Sequence, residues 1–189
     1  MGIFNFLNKR DKKSTEITPV FSSKYKLEKI TKYSAVPKEI ENHIATIKAI
    51  SINKEKNIEV KVDELLKIYE SLSDDQKRRR EGRFIIICIG EICFAERMIE
   101  EAFENFNFAL KFKDTIGNPF IHLRMGQLNY LVQNKDKTLD ELSRALIMGG
   151  EEVYEHEDPR FLEMVKNVLK EPNDCSWEEY EGQDWTDTK

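Results

Sequence analysis

The chain has 189 residues, 40% of them hydrophobic and 34% charged, with a net charge of −5. That is enough apolar material for one domain with a real core and arms at its ends. Eight glycines and five prolines argue against a turn-rich all-β protein, three cysteines are too few for a disulfide scaffold, and the longest apolar run falls far short of the roughly 20 residues that span a bilayer.

Residues 1–24 read as a mobile arm. The apolar start at Ile3, Phe4, Phe6 and Leu7 is too short for a secretory segment and precedes its positive charges, the reverse of a signal peptide. Phe6 also breaks the myristoylation pattern that Gly2 opens. With Lys9, Arg10, Lys12 and Lys13 behind it, this start suits at most a weak touch on an anionic membrane. Unpaired cysteines and no export signal make a reducing cytoplasm the expected compartment.

A helical domain is expected over 25–172. Pro37 fits the first turn of a helix that carries Ile40, Ile44, Ile47, Ile50 and Ile52 on one stripe. Residues 53–57 look like a loop, and a second helix covers about 60–72, with Leu65, Leu66, Ile68, Tyr69 and Leu72 on its apolar side. Ser73 is an N-cap, with Asp74 and Asp75 in the first turn and Lys77 to Arg80 further along. Residues 84–95 are apolar and rich in β-branched side chains, yet too long without a turn signal for a typical strand. A buried helix is the better reading. Glu100 to Leu110 continues in helical register. Asn118-Pro119 caps and opens a helix to about Val132, and Asn134 to Asp136 turns the chain. Leu139, Leu142, Ala145 and Leu146 face inward on the next helix, which Gly149-Gly150 ends or bends. Asp158-Pro159 starts a last helix with Phe161, Leu162, Val165, Val168 and Leu169, and Pro172 cannot continue it. The fold class is therefore all-α, with about seven helices in antiparallel pairs. Residues 173–189 form an acidic, aromatic tail.

Charge divides the chain. Residues 1–80 hold 18 basic and 12 acidic residues, whereas residues 151–189 hold 4 and 13. An acidic end repels phosphate and favours basic partners, so nucleic acid is not an expected ligand. A solubilising, solvated tail is the plainer alternative.

An internal repeat underlies the helices. Gly90 and Ala109 are 19 residues apart, as are Gly126 and Ala145, and Ala102, Phe106 and Leu110 fall against Thr138, Leu142 and Leu146 at a period of 36. A small residue midway along the first helix lets the second pack close. This unit resembles the tetratricopeptide repeat: Ile89-Gly90 and Met125-Gly126 match its Leu-Gly pair, Ala102 its small residue, and Phe106 with Ala109 its late aromatic and alanine. Cys93 and Asn129 stand where that family has tyrosine, and Thr138 where it has a small residue. Thr138 to Glu141 could instead be a capping box that starts the second helix late. The clearest repeats cover 83–150. Residues 118–169 also look like the end of small bacterial tetratricopeptide-like proteins that accompany polymorphic toxins. The segments that carry this likeness are 118–127, 141–145 and 158–161.

The resemblance implies a superhelix whose first helices line a concave groove. The matching positions are Phe84, Ile87, Glu91 and Phe94, then Phe120, Leu123, Gln127 and Tyr130. The first four could equally pack under the helix at 60–72. Gln127 and Tyr130 are the better contacts, since tyrosine offers apolar area and a hydrogen bond at low entropy cost. Glu155 belongs to the acidic stretch. Trp177, Glu178, Tyr180 and Trp185 form a second candidate surface, which suits either a basic partner or an arm folded back on the body.

Catalytic and metal patterns do not emerge. No Gly-rich phosphate loop or His-Glu-x-x-His occurs; His43, His122 and His156 are far apart; Cys88 and Cys93 lie in an apolar stretch as expected of inert thiols. No catalytic, cofactor or metal residue is assigned. The expected function is protein binding without catalysis. The resemblance makes it most specifically a bacterial immunity protein that binds a basic toxin. The alternative is an adaptor or assembly protein that holds a cellular peptide in its groove.

Overall fold

The computed structural model describes residues 26–34, 41–53, 56–112 and 117–169. The N-terminal arm, Pro37, Ile40, Pro172, Trp177, Glu178, Tyr180 and Trp185 lie outside them. Among the described residues every regular element is helical: α1 (Lys26–Ser34), α2 (Glu41–Ile52), α3 (Ile58–Ser71), α4 (Asp74–Lys77), α5 (Arg80–Ala95), α6 (Ile99–Ala109), α7 (Pro119–Leu131), α8 (Lys135–Gly149), a 3-10 turn at Glu151–Tyr154 and α9 (Pro159–Lys166). The periodicity alone counts about seven. Nine α-helices stand among the described residues; α1 is one that the sequence signals leave unmarked, and Ile30 and Tyr33 are its described contacts with the core.

Local chemistry sets the boundaries. Asn57, Ser73, Asn118, Asn134 and Asp158 each accept a hydrogen bond from a first-turn backbone N–H, and Ser73 forms a full capping box with Gln76. The helix after Ser73 does not run on through Lys77 to Arg80. Arg79 turns extended and α5 begins anew. Gly82 permits this corner, since a Cβ there would fall 2.3 Å from the Lys77 carbonyl oxygen. Thr138 is not an N-cap either. Asn134 starts α8 a turn earlier, and the Thr138 hydroxyl donates to the Asn134 carbonyl at 2.8 Å.

The 36-residue period has a structural counterpart. α5 pairs with α6, and α7 pairs with α8. Arg97 and Gln133, 36 residues apart, both adopt φ of 60°. Behind each, the next amide reaches back to close the helix end: Met98 N to Cys93 O and Asn134 N to Asn129 O, both 2.9 Å. Gly90 faces Phe106 and Gly126 faces Leu142, each partner 16 residues on. Two helix pairs thus share one turn and one close approach.

α5 and α7 are the structural centre. α5 is buried from Glu81 to Phe94, and α7 from Pro119 to Asn129. A helix buried on all sides needs neighbours all round. α1, α3, α4 and α6 surround α5, while α1, α6, α8 and the 3-10 turn surround α7. One apolar core gathers on α5, with Ile47, Ile50, Val62 and Leu65 from α2 and α3. A second lies between α7, α8, the 3-10 turn and α9, with Leu123, Leu142, Leu146, Val153, Phe161 and Val165. Tyr33 of α1 touches both. No helix among the described residues is long and apolar enough to cross a membrane.

The two glycine contacts differ in tolerance. A Cβ on Gly126 would sit 2.7 Å from Leu142 side-chain carbons and 3.1 Å from its backbone nitrogen, whereas one on Gly90 meets side-chain atoms at 3.2 Å. Gly126→Ala is expected to lose roughly 1–3 kcal/mol through overpacking, and Gly90→Ala clearly less, because the gain in helix propensity offsets part of its cost. Urea denaturation of both variants checks the order; equal losses would contradict it.

Candidate interaction surface

Polar side chains on a buried helix require partners. α7 places Phe120, Arg124 and Gln127 on one face, four and three residues apart. Arg124 is 1% exposed. Its Nε and Nη2 donate to the two carboxylate oxygens of Glu91 on α5, at 2.7 and 3.0 Å. Nη1 donates to Gln127 Oε1 at 2.6 Å and to Glu157 Oε2 at 2.8 Å. The rings of Phe94 and Phe120 both lie 4.8 Å from the guanidinium carbon, an added attraction for a cation. Gln127 Nε2 donates to Glu157 Oε2 at 3.0 Å. From α1, Lys29 Nζ donates to Glu157 Oε1 at 2.8 Å and to the Val153 carbonyl at 2.9 Å.

The cluster balances two cations against two carboxylates. Burial alone pushes the Glu157 carboxyl up, but Arg124, Lys29 and their hydrogen bonds outweigh it and hold the group down at about 2. Burial likewise works to lower Arg124, and the charges of Glu157 and Glu91 reverse the direction to a raised value. Lys29 stays below its ordinary range because burial exceeds the help from Glu157. Chemically, the arrangement fixes orientation. It ties α1, α5, α7 and the segment before α9 together by bidentate and shared hydrogen bonds.

Glu91, Phe94 and Gln127, three of the groove candidates, therefore lie inside the molecule, at 4%, 1% and 0% exposure. In this conformation they present no surface to a partner. Phe84, Ile87, Phe120 and Leu123 are fully buried as well. The cover over α5 comes from α3, as the packing alternative has it, and also from α1. Tyr130, 36% exposed, stands at the end of α7, with its ring edge-to-face on Phe161 at 5.4 Å. Glu155 is exposed beside the 3-10 turn, where Glu152 is exposed too. Arg160 is held on Asp158. Val132, two residues beyond Tyr130 at the C-terminal cap of α7, is half exposed. Of the candidate contact residues that the structure describes, Tyr130 and Glu155 face outward.

Lys29 carries no mark in the sequence, and Glu157 stands there only as one residue of the acidic stretch. Arg124 alone left a signal: it lies on the face defined by Phe120 and Gln127, where a cation has to find anions. Among the other polar groups, His122 Nδ1 lies 2.7 Å from Glu141 Oε2 and joins α7 to α8. Burial raises the Cys88 thiol, and it raises Cys93 to about 12, which leaves both protonated at neutral pH. No cluster of His, Cys, Asp and Glu among the described residues could hold a metal ion. Comparison with family models, curated proteins and solved structures finds no match to this chain.

The Glu157 carboxyl sets an acid limit. Its ordinary value is 4.5 and its folded value about 2, so its contribution is fully present above about pH 4.5 and is lost as pH falls toward 2. That contribution is about 3 kcal/mol. Glu157→Gln is expected to lower stability near pH 7 by a similar amount and to flatten the decline between pH 4.5 and 2. Chemical denaturation across that range checks both, and an unchanged acid limb would contradict the role of Glu157.

Proposed function

We propose that this chain is a non-enzymatic protein-binding module built from tetratricopeptide-like repeats, most specifically an immunity protein for a basic toxin. The observation that carries the binding reading is the pair of equivalent helix units: the same glycine contact and the same left-handed turn recur after 36 residues. Stacked units of this kind set side chains from successive helices on a shared face, the usual basis of recognition in helical repeats.

The outward residues support a contact at the α7–α9 end. Tyr130 supplies apolar area and Glu155 supplies negative charge. The seven acidic residues of the sequence 171–189 add to that charge and suit a basic partner through steering of the encounter. The toxin itself rests on the resemblance of residues 118–169 to toxin-associated proteins. The acidic tail fits that role because it would neutralise a cationic surface.

Affinity capture of the tagged chain from its own host, at low and moderate salt, tests the reading. One stoichiometric basic protein, released as salt rises, is expected. Tyr130→Ala is expected to weaken that complex by about 1–2 kcal/mol, and Glu155→Lys to slow its association. Unchanged capture by both variants would reject the α7–α9 end as the contact.

A further inference from the structure

α1 sits on the molecule more as a bound ligand than as a core helix. It lies across α5 and α7, the two first helices of the repeat units. Its described attachments combine polar contacts with the buried Ile30 and with Tyr33, which packs against both cores. The Lys29 ammonium enters a slot between the Val153 carbonyl and the Glu157 carboxylate. At its C-terminal end, Asn118 Nδ2 donates to the Tyr33 carbonyl at 3.1 Å and to the Ser34 hydroxyl at 3.0 Å, and Arg83 donates to the Ser34 carbonyl at 3.4 Å. Lys32 pairs with Glu152 at the rim. Of the apolar side chains described on α1, only Ile30 is fully buried.

The receptor side would persist without α1. Asn118 also caps α7, accepting from the amides of Phe120 and Ile121. Glu157 keeps Arg124 and Gln127, and Arg124 keeps Glu91. The fit of α1 is also incomplete: the Tyr33 hydroxyl is buried and meets no hydrogen-bonding partner among the described residues. A buried hydroxyl left unpaired weakens the contact that buries it. A nine-residue helix has little stability of its own once detached. Such a segment opens more readily than the helices beneath it.

We propose that α1 is an exchangeable ligand of the site it covers. The site recognises a short helix that brings a lysine followed by an aliphatic residue, with an aromatic ring three residues beyond the aliphatic. A protein partner that presents such a helix takes the place of α1 over α5 and α7. The inference deepens the protein-binding reading by adding a second, covered contact with its own chemistry. It fails independently of the α7–α9 surface, because its test uses no cellular partner.

The probe is a fluorescent peptide of residues 24–36, titrated against the full chain and followed by anisotropy. In the wild type, the tethered α1 competes at an effective concentration near the millimolar range, so binding is expected to be weak. The full-chain variant Lys29→Ala, with its own α1 loosened, is expected to bind the wild-type peptide at least tenfold more tightly. A peptide carrying Lys29→Ala is expected to lose that gain, and one carrying Tyr33→Phe to bind several-fold tighter. Equal weak binding by wild type and variant overturns the proposal. So does failure of Lys29→Ala to fold, since a displaceable ligand is not needed for folding. Hydrogen exchange on the wild type gives a second reading. α1 amides are expected to exchange at least a hundredfold faster than the central amides of α5 and α7, and equal protection overturns the proposal.

Discussion

A guanidinium taken out of water dictates the arrangement around it. Arg124 would be prohibitively unstable in an apolar interior without compensation. Two carboxylates from different parts of the chain, Glu91 and Glu157, and two aromatic rings supply that compensation. The requirement explains why α5 stands beside α7 in one register, and why the segment between the 3-10 turn and α9 folds back over the inner face. Lys29 of α1 adds a second cation at Glu157.

The repeat shows how this network came to be asymmetric. With a period of 36, Phe84 corresponds to Phe120, Ile87 to Leu123, Glu91 to Gln127, and Cys88 to Arg124. At one equivalent position a thiol behaves as a small apolar side chain; at the other stands a full charge. Both units keep the same turn and the same glycine contact. The scaffold is thus shared, and the second unit carries the polar specificity. A network of this kind stabilises little beyond an apolar equivalent, but it penalises every arrangement that leaves Arg124 unpaired. That links the inner face to a single conformation, while Tyr130, Val132 and Glu155 stay outside as the exposed edge.

Much of the helical layout was legible because it rests on local signals. Asn118-Pro119, Asp158-Pro159 and Ser73 start helices through their own side chains, and the long apolar run of 84–95 is buried on every side. The Gly90 and Gly126 spacing pointed to close approaches that the structure contains. What stayed hidden depends on tertiary partners. Glu91 and Gln127 read as groove contacts because their spacing marks a face but does not say what covers it; the cover comes from α1 and Glu157, 62 and 30 residues away in sequence. Thr138 suggested a cap, but Asn134 competes for the same role one turn earlier and wins.

The central claim is that Arg124 and Glu91 are energetically coupled across α5 and α7. A double-mutant cycle with Arg124→Met and Glu91→Met, read by urea denaturation at neutral pH, measures that coupling directly. Each single substitution strands a buried charge, whereas the pair removes one cation and one anion together. The account predicts a coupling of about 2–3 kcal/mol, with the double variant far more stable than the two single losses would add to. Strict additivity of the two losses would contradict it.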